Sequence, residues 1–450
     1  MNAALRCFRE GAALSPDYCF PSRLEEIVIL EAAMRANPHD GKAPYYLGNL
    51  FYDRRRHDEA IRLWEKSSKL DGNFSVVWRN LGIGYFNIRQ QPAKARAAYD
   101  RAFNADPTDT RLLYERDQLW KRLTEKPARR LRELENHSHL VAQRDDLSVE
   151  LCALLNQCGR PAEARQLLAR RNFQPWEGGE GGPLGQHVRT QIALGREALR
   201  QVAAGILPAV EPGFQPGGKN AGDLKGVGKM VASEMVSVFS WRQDATLYVR
   251  QGCLTPHLRS AIAHFQSALT APCNLGEARH LLANQSDIHY WLGCAREVSG
   301  EKQQAKQHCR VAANFKGDFQ EMSVRAFSEM TFYSALAWEK LGQPAKAKKL
   351  LRALLAYAQQ LQKSEAKMDY FATSLPTMLI FDDDLQFRQE TTALFLQAQA
   401  RLGLGQAARA KVLVKKVLQR DPNHALARDL KNLALIKSQR QTGSTLSNQI

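Results

Sequence analysis

The sequence predicts an all-α chain: a solenoid of antiparallel helix pairs, interrupted by one irregular Gly/Pro-rich insert. Three observations carry this. A mostly small residue, an apolar residue four later and usually a small one three after that recur nine times in the 450 residues. A Leu-Gly pair with aromatic neighbours precedes several of these motifs at a near-constant distance. Prolines or glycines close five of the units, at Pro16, Pro38, Gly72, Pro107 and Pro422, where a helix must stop.

In chain order the motif reads Ala4/Phe8/Gly11, Glu26/Leu30/Ala33, Ala60/Trp64/Ser67, Ala95/Tyr99/Ala102, Ala164/Leu168/Arg171, Ala261/Phe265/Ala268, Ala305/Cys309/Ala312, Ala347/Leu351/Leu354 and Ala410/Val414/Val417. Steps of four and three place the marked residues on one helical face, with small side chains where a neighbouring helix must come close. The preceding helix is as regular: Leu47, Gly48 and Phe51 stand before Ala60, Trp78, Leu81, Gly82 and Tyr85 before Ala95, and Trp291, Leu292 and Gly293 before Ala305. Gly48 and Gly82 are 34 residues apart and Gly48 and Ala60 are 12 apart, so two antiparallel helices and a short turn fit inside each unit.

With these residues the chain resembles the tetratricopeptide repeat (TPR) family, whose signature runs aromatic, Leu-Gly, aromatic, Ala, aromatic, Ala, Pro. The match is close over residues 41–107; residues 108–142 keep the length of a repeat but few of its marks, and later units run nearer 42–44 residues. The strings Asn274 to Trp291 and Tyr370 to Leu385 are similar to the carboxyl-terminal portion of a family of large bacterial TPR proteins. In that family the repeats follow a β-rich domain of unknown function, suspected of carbohydrate association. What the resemblance implies for this chain is the helical array alone, a right-handed TPR-like superhelical solenoid.

Two breaks in register divide the sequence. Ala4, Phe8, Gly11 and Pro16 are marks of a second helix, so the frame opens in mid-repeat and Met1 reads as a start inside a longer architecture. Leu5, Phe8 and Leu14 then lack cover, at roughly 1.5 to 3 kcal/mol for each large side chain left wet, and self-association through this first helix is the expected consequence. Ser22 and Glu25 form a capping-box pair before the helix that ends near Ala36. Farther on, Leu194-Gly195 and Ala261/Phe265/Ala268 belong to one repeat, yet Gly195 and Ala261 are 66 residues apart. About 54 residues are extra, spanning roughly Val202 to His257 and rich in Pro and Gly, as at Pro208, Pro212, Pro216, Gly217 and Gly218.

The insert also resembles the translated product of a dispersed genomic repeat found inside unrelated bacterial reading frames, through Ala204 to Pro208, Gly228-Lys229-Met230, Trp241 to Thr246 and Arg250 to His257. This implies a passive insertion, against the competing reading of a functional loop on a binding face. The expected organisation is therefore an amino-terminal array over 1–201, the insert over 202–257, a second array over 258–438 and a disordered tail over 439–450.

Composition narrows the function. No apolar run is long enough to span a membrane, and the first twenty residues carry Arg6, Arg9 and Glu10 in place of a secretory signal, which points to a cytoplasmic protein. The eight cysteines show no metal-ligand spacing and read as core thiols in a reducing compartment. The net charge of +17 is spread over clusters such as Arg54-Arg55-Arg56, Arg129-Arg130 and Lys346 to Lys349, interleaved with acids and without an aromatic stacking series. Solvated helix faces, or a surface that attracts an acidic protein partner, fit this better than specific nucleic-acid binding.

No nucleophile elbow, zinc helix, dinucleotide fingerprint or kinase set occurs, so no enzyme activity and no cofactor are expected. Gly226 to Lys229 lacks the Ser/Thr, spacing and strand of a phosphate loop. Asp382-Asp383-Asp384 reads as an acidic cap on the helix beginning near Leu385, and Glu277, His280 and His289 as helix-face polar residues. The resemblance implies that first-helix side chains line a concave groove able to hold an extended peptide or a partner helix: Tyr45, Asn49 and Tyr52, then Arg79, Asn80, Ile83 and Phe86. Asn49, Asn80 and Arg111 resemble positions of the carboxylate clamp of chaperone-binding TPR domains, but Tyr45 stands where that clamp has lysine and Glu115 where it has a cation. The predicted function is a non-catalytic protein-interaction scaffold. The alternatives are a helical appendage of a separately encoded carbohydrate-active enzyme, or a degenerate truncated product.

Overall fold

The computed structural model describes residues 2–176, 179–206, 255–320, 323–367 and 380–431. The centre of the insert (207–254), the string from Tyr370 to Pro376 and the 439–450 tail lie outside the described residues. The chain forms two compact units: one comprises Met1–Glu125, Glu133–Leu147 and Pro376–Asp383, the other Lys126–Arg132, Ser148–Leu375 and Asp384–Ile450. No described helix is long and apolar enough to cross a membrane.

The first unit opens with α1 (Asn2–Ala13) and α2 (Glu25–Ala36). Two regular pairs follow, α3 (Lys42–Asp53) with α4 (His57–Leu70) and α5 (Ser75–Asn87) with α6 (Pro92–Ala105), and then α7 (Thr110–Arg122). The Leu-Gly of each first helix explains the spacing seen in the sequence. A Cβ on Gly48 would lie 2.5 Å from the Trp64 indole, and one on Gly82 would lie 2.4 Å from the Tyr99 ring. Glycine there lets the large side chain of the second helix seat against backbone, and Trp64 and Tyr99 are buried as a result. Ile27, Leu30 and Met34 of α2 cover Leu47, Phe51 and Ala60. The amino-terminal end is less covered, with Leu14, Phe20 and Val28 exposed by 68%, 77% and 65%.

Among the described residues, the short turns inside helix pairs repeat one geometry. In the first unit the residues Arg55, Gln90 and Thr124 take positive φ, and the next N–H closes back on the first helix, from Arg56 to the Phe51 carbonyl (2.8 Å), from Gln91 to Tyr85 (2.8 Å) and from Glu125 to Trp120 (2.9 Å). This is the left-handed helix stop that glycine fits best, and a β-branched residue fits it worst. Thr124→Gly is therefore expected to stabilise the first unit by about 1 kcal/mol, read as slower amide exchange in α7. A loss of protection there would show that the threonine side chain makes up for its backbone strain. The turns after each pair use another device: Asp71 and Asp106 accept the N–H two residues on, from Asn73 (3.0 Å) and Thr108 (3.1 Å), making Asx turns at the predicted Gly72 and Pro107 stops.

The helices α8 (Pro127–Asn136), α9 (Ser138–Val141) and α10 (Asp145–Gln157) come next in the chain. The second unit continues through α11 (Pro161–Arg170), α12 (Gly182–Ile206), α13 (Thr255–Ala268), α14 (Ser286–Val298), α15 (Lys302–Asn314), α16 (Thr331–Lys340), α17 (Pro344–Lys363), α18 (Leu385–Gly403) and α19 (Ala407–Arg420). Glycine serves here at the pair turns, with positive φ at Gly159, Gly300, Gly342 and Gly405. The close Leu-Gly contact recurs, Gly195 against Phe265 at 2.5 Å and Gly293 against Cys309 at 2.8 Å.

Two features differ from the sequence expectation. Helix α12 runs on to Ile206 and α13 begins at Thr255, so both ends of the 202–257 insert are helical, and Val202 is fully buried in the core those helices share. The expected boundaries fell at the Pro/Gly-rich stretch because helical periodicity fades there before the helix does. The second array also holds a two-stranded antiparallel hairpin, β1 (Asp318–Gln320) and β2 (Ser323–Arg325), and a 3₁₀ turn over Cys273–Leu275. Of the described cysteines, Cys152, Cys294 and Cys309 are buried, whereas Cys7, Cys19 and Cys273 are exposed. Burial pushes the Cys152 and Cys309 thiols up to about 12.

Candidate peptide groove of the first unit

The first-helix residues singled out by the sequence divide into two sets. Those toward the start of α3 and α5 are spent on internal structure. Tyr45 is only 7% exposed and packs on Phe74 with ring centroids 4.8 Å apart. The Asn80 amide donates to the Asn49 oxygen at 3.0 Å, and Trp64 Nε1 donates to that same oxygen at 3.0 Å, so the two asparagines form a rung tying α3, α4 and α5 together. Arg79 makes a two-pronged pair with Glu115 of α7, at 2.6 and 2.8 Å.

Glu115 is the centre of the polar network at this end of the face. Its carboxylate has no solvent exposure, yet it also accepts from Arg111 Nε at 2.7 Å and from the Tyr99 hydroxyl at 3.0 Å. A buried anion persists only when paired and hydrogen-bonded, and these donors meet that requirement. Burial, and the Glu115 charge behind it, hold the Tyr99 phenol protonated far above its usual range. The cations that a carboxylate clamp would offer a ligand thus already serve an internal carboxylate.

The residues toward the end of the helices converge on something else. Ile83 and Phe86 belong to an apolar cluster with Ala95, Tyr99, Leu119 and Phe381. Phe381 comes from a segment nearly three hundred residues later in the chain, and it is 1% exposed. Its ring stands edge-on to Phe86 and Tyr99, with centroids at 5.3 and 5.5 Å, and the Arg122 guanidinium lies 5.5 Å from its centre. Asn87, the last residue of α5, holds the backbone on both sides of that ring. Its amide nitrogen donates to the Ile380 carbonyl at 2.9 Å, and its oxygen accepts the Asp382 N–H at 3.0 Å. Burial first, and the Asp382 carboxylate second, raise the Tyr52 phenol. The surface that sequence reasoning marked as a groove therefore carries three residues of this same chain, gripped by a side-chain anchor and a two-point backbone bond.

Asn87 was missed by the sequence reasoning. It lies seven residues after Asn80, two helical turns along one face, and next to Phe86, so the face periodicity that selected Asn80 reaches it as well.

The other candidates have separate structural roles. Asp384 caps α18, accepting the Phe387 N–H at 2.8 Å. Glu277 accepts the N–H groups of Gly181 and Leu184, both at 2.6 Å, at the start of α12. His280 stacks on Phe319 at 3.7 Å, while the His289 Nδ1 lies 3.1 Å from that of His308. Burial, helped by His308 and Arg279, pushes His289 down to about 4 and so keeps it neutral. Among the described residues no set of three or more His, Cys, Asp or Glu side chains is placed to hold a metal ion.

One family model and several solved structures are similar to this chain. The family described as tetratricopeptide repeat matches residues 392–424, which span the later part of α18, all of α19 and the turn at Asp421-Pro422. Among solved structures, the chain is similar to YrrB, described as a TPR protein with an unusual peptide-binding site (17% identity, TM-score 0.31, 37% of this chain and 83% of that one). It is similar also to a tetratricopeptide repeat protein from Parabacteroides merdae (12% identity, TM-score 0.30, 74% of this chain and 99% of that one). A third is the Naa15/Naa10 complex bound to HypK-THB (12% identity, TM-score 0.33, 95% of this chain and 64% of that one). The fold class is all-α, of TPR-like antiparallel helix pairs.

Proposed function

We propose that this chain is a non-catalytic protein-interaction scaffold whose first unit holds an extended peptide on the face formed by α3, α5 and α7. The observation that carries the reading is a pair of hydrogen bonds, in which the Asn87 amide nitrogen donates to the Ile380 carbonyl and its oxygen accepts the Asp382 N–H, flanking a buried ring. Backbone hydrogen bonds recognise extension without regard to sequence, and the pocket of Phe86, Tyr99 and Leu119 adds selection by side chain. Basic residues bracket the site in sequence, with Arg54 and Arg55 after Tyr52 and Arg89 after Asn87, which favours an acidic partner in the cytoplasm. The reading includes self-association through the sparsely covered amino-terminal end, where Leu14 and Phe20 stand in solvent.

A library of random linear peptides displayed on phage and selected on the full chain tests the groove. Enriched peptides are expected to lose at least tenfold in binding on Asn87→Ala, with the far-ultraviolet circular dichroism unchanged. Peptides that bind equally well to Asn87→Ala and Phe86→Ala proteins would move the interaction off this face.

A further inference from the structure

We infer that Ile380-Phe381-Asp382 is a built-in competitor for the groove, and that the partner it competes with is an extended protein segment presenting an apolar residue, an aromatic ring and a carboxylate in succession. The inference rests on the groove reading above and deepens it by naming the ligand.

Three observations support it. The segment is held as a ligand is held. Its backbone is bonded at both flanks by one side chain, Asn87, and its single ring is driven into the apolar pocket, where it is 1% exposed. The described turns inside helix pairs, by contrast, close through their own backbone hydrogen bonds within six residues. Next, the chemistry is specific at each position. Ile380 packs against the cluster of Ala95, Tyr99, Leu119 and Phe381, Phe381 meets the edges of two rings and a guanidinium, and Asp382 keeps its side chain exposed beside Tyr52. An incoming segment with that order of side chains would reproduce every contact, and one lacking the ring would leave the pocket of Phe86 and Tyr99 unfilled. Finally, the segment belongs to the chain it binds. A tethered ligand acts at an effective concentration on the order of millimolar. One ring and two backbone bonds give only a weak site in trans, so the tethered copy holds the groove against any free peptide of similar strength. Release of the segment, by a stronger partner or by loss of its ring, is then what opens the groove, and the apparent affinity for a partner falls by the fraction of molecules in which the groove is free.

The test uses the full-length chain and a fluorescein-labelled synthetic peptide with the sequence of residues 377–386, read by fluorescence anisotropy. The peptide is expected to bind the Phe381→Ala chain at least tenfold more tightly than the wild-type chain, and to lose that binding when Asn87→Ala is added. Asp382→Pro removes the N–H that Asn87 accepts without emptying the apolar pocket, and is expected to give the same gain; it serves if Phe381→Ala perturbs the fold. Equal affinity for the wild-type, Phe381→Ala and Asp382→Pro chains would overturn the competitor. The ligand class would be overturned if the peptide fails on both opened chains while the phage-selected peptides still bind them through Asn87. In that outcome the groove reading survives and only the ligand and its tethered copy fall. If neither the synthetic nor any selected peptide depends on Asn87, both readings fall together.

Discussion

Removing the Glu115 carboxylate, as in Glu115→Ala, is expected to cost the first unit roughly 3 to 5 kcal/mol. That carboxylate has no solvent exposure and is the common acceptor for Arg79, Arg111 and Tyr99. Its loss leaves the Arg79 guanidinium, itself only 16% exposed, without a counter-charge, and leaves the Tyr99 hydroxyl in the core without an acceptor. Arg111 is 58% exposed, so Arg111→Ala should cost under about 1 kcal/mol. A double replacement, Arg79→Met with Glu115→Leu, removes both charges and should recover most of the loss, because apolar residues of similar volume avoid the desolvation penalty. Amide exchange in α5, α6 and α7 reads this locally, without requiring the whole chain to unfold in one step. Glu115→Ala protein with unchanged protection in those helices would show that water or rearranged side chains satisfy Arg79, and would sink the prediction. The effect should also reach the groove, since the Tyr99 ring that Glu115 steadies forms one wall of the Phe381 pocket.

That network marks where sequence reasoning runs out. The helix pairs were legible because their cause is local. A glycine meets a large side chain at a fixed separation, as Gly48 meets Trp64 and Gly82 meets Tyr99, and an Asx turn ends both of those pairs. Tyr52, Ile83 and Phe86 were legible as one helix face, since they share the register of first-helix positions. What fills that face was not. Asn87 meets Ile380 and Asp382 across nearly three hundred residues, and no periodicity links an asparagine at a helix end to a short apolar run before an acidic cluster. Glu115 looked like a defect in a cationic clamp because its partners come from three helices, and only their packing turns it into an acceptor. The 318–325 hairpin escaped for a related reason: three-residue strands are too short for an alternating pattern, and Phe319 is fixed by stacking on His280.

Leucine placed at either of two glycines of α12 should act with opposite sign. Gly185 is exposed and has nothing within 4 Å of where a Cβ would stand. Gly185→Leu is then governed by helix propensity and should stabilise by up to about 1 kcal/mol. At Gly195 a Cβ alone would lie 2.5, 2.6 and 2.8 Å from three atoms of the Phe265 ring, all closer than such contacts allow. The ring has nowhere to go. It is fully buried, in a cluster with Leu199, Leu258, Ile262 and Leu292, and it stacks on Trp291 of α14. Gly195→Leu must therefore push α12 and α13 apart, at a cost of about 3 kcal/mol or more once four carbons are forced into a filled core. These two helices are the ones that flank residues 207–254, so their contact is what makes one repeat of them. Exchanging the large and small partners, Gly195→Leu with Phe265→Ala, returns the volume to the interface and should restore at least half of the loss. Amide exchange in α12, α13 and α14 would report all three proteins. Equal protection in Gly185→Leu and Gly195→Leu proteins would mean that the two helices do not rely on a close approach at Gly195, and that the Leu-Gly mark in this repeat does not carry the contact it carries at Gly48 and Gly82.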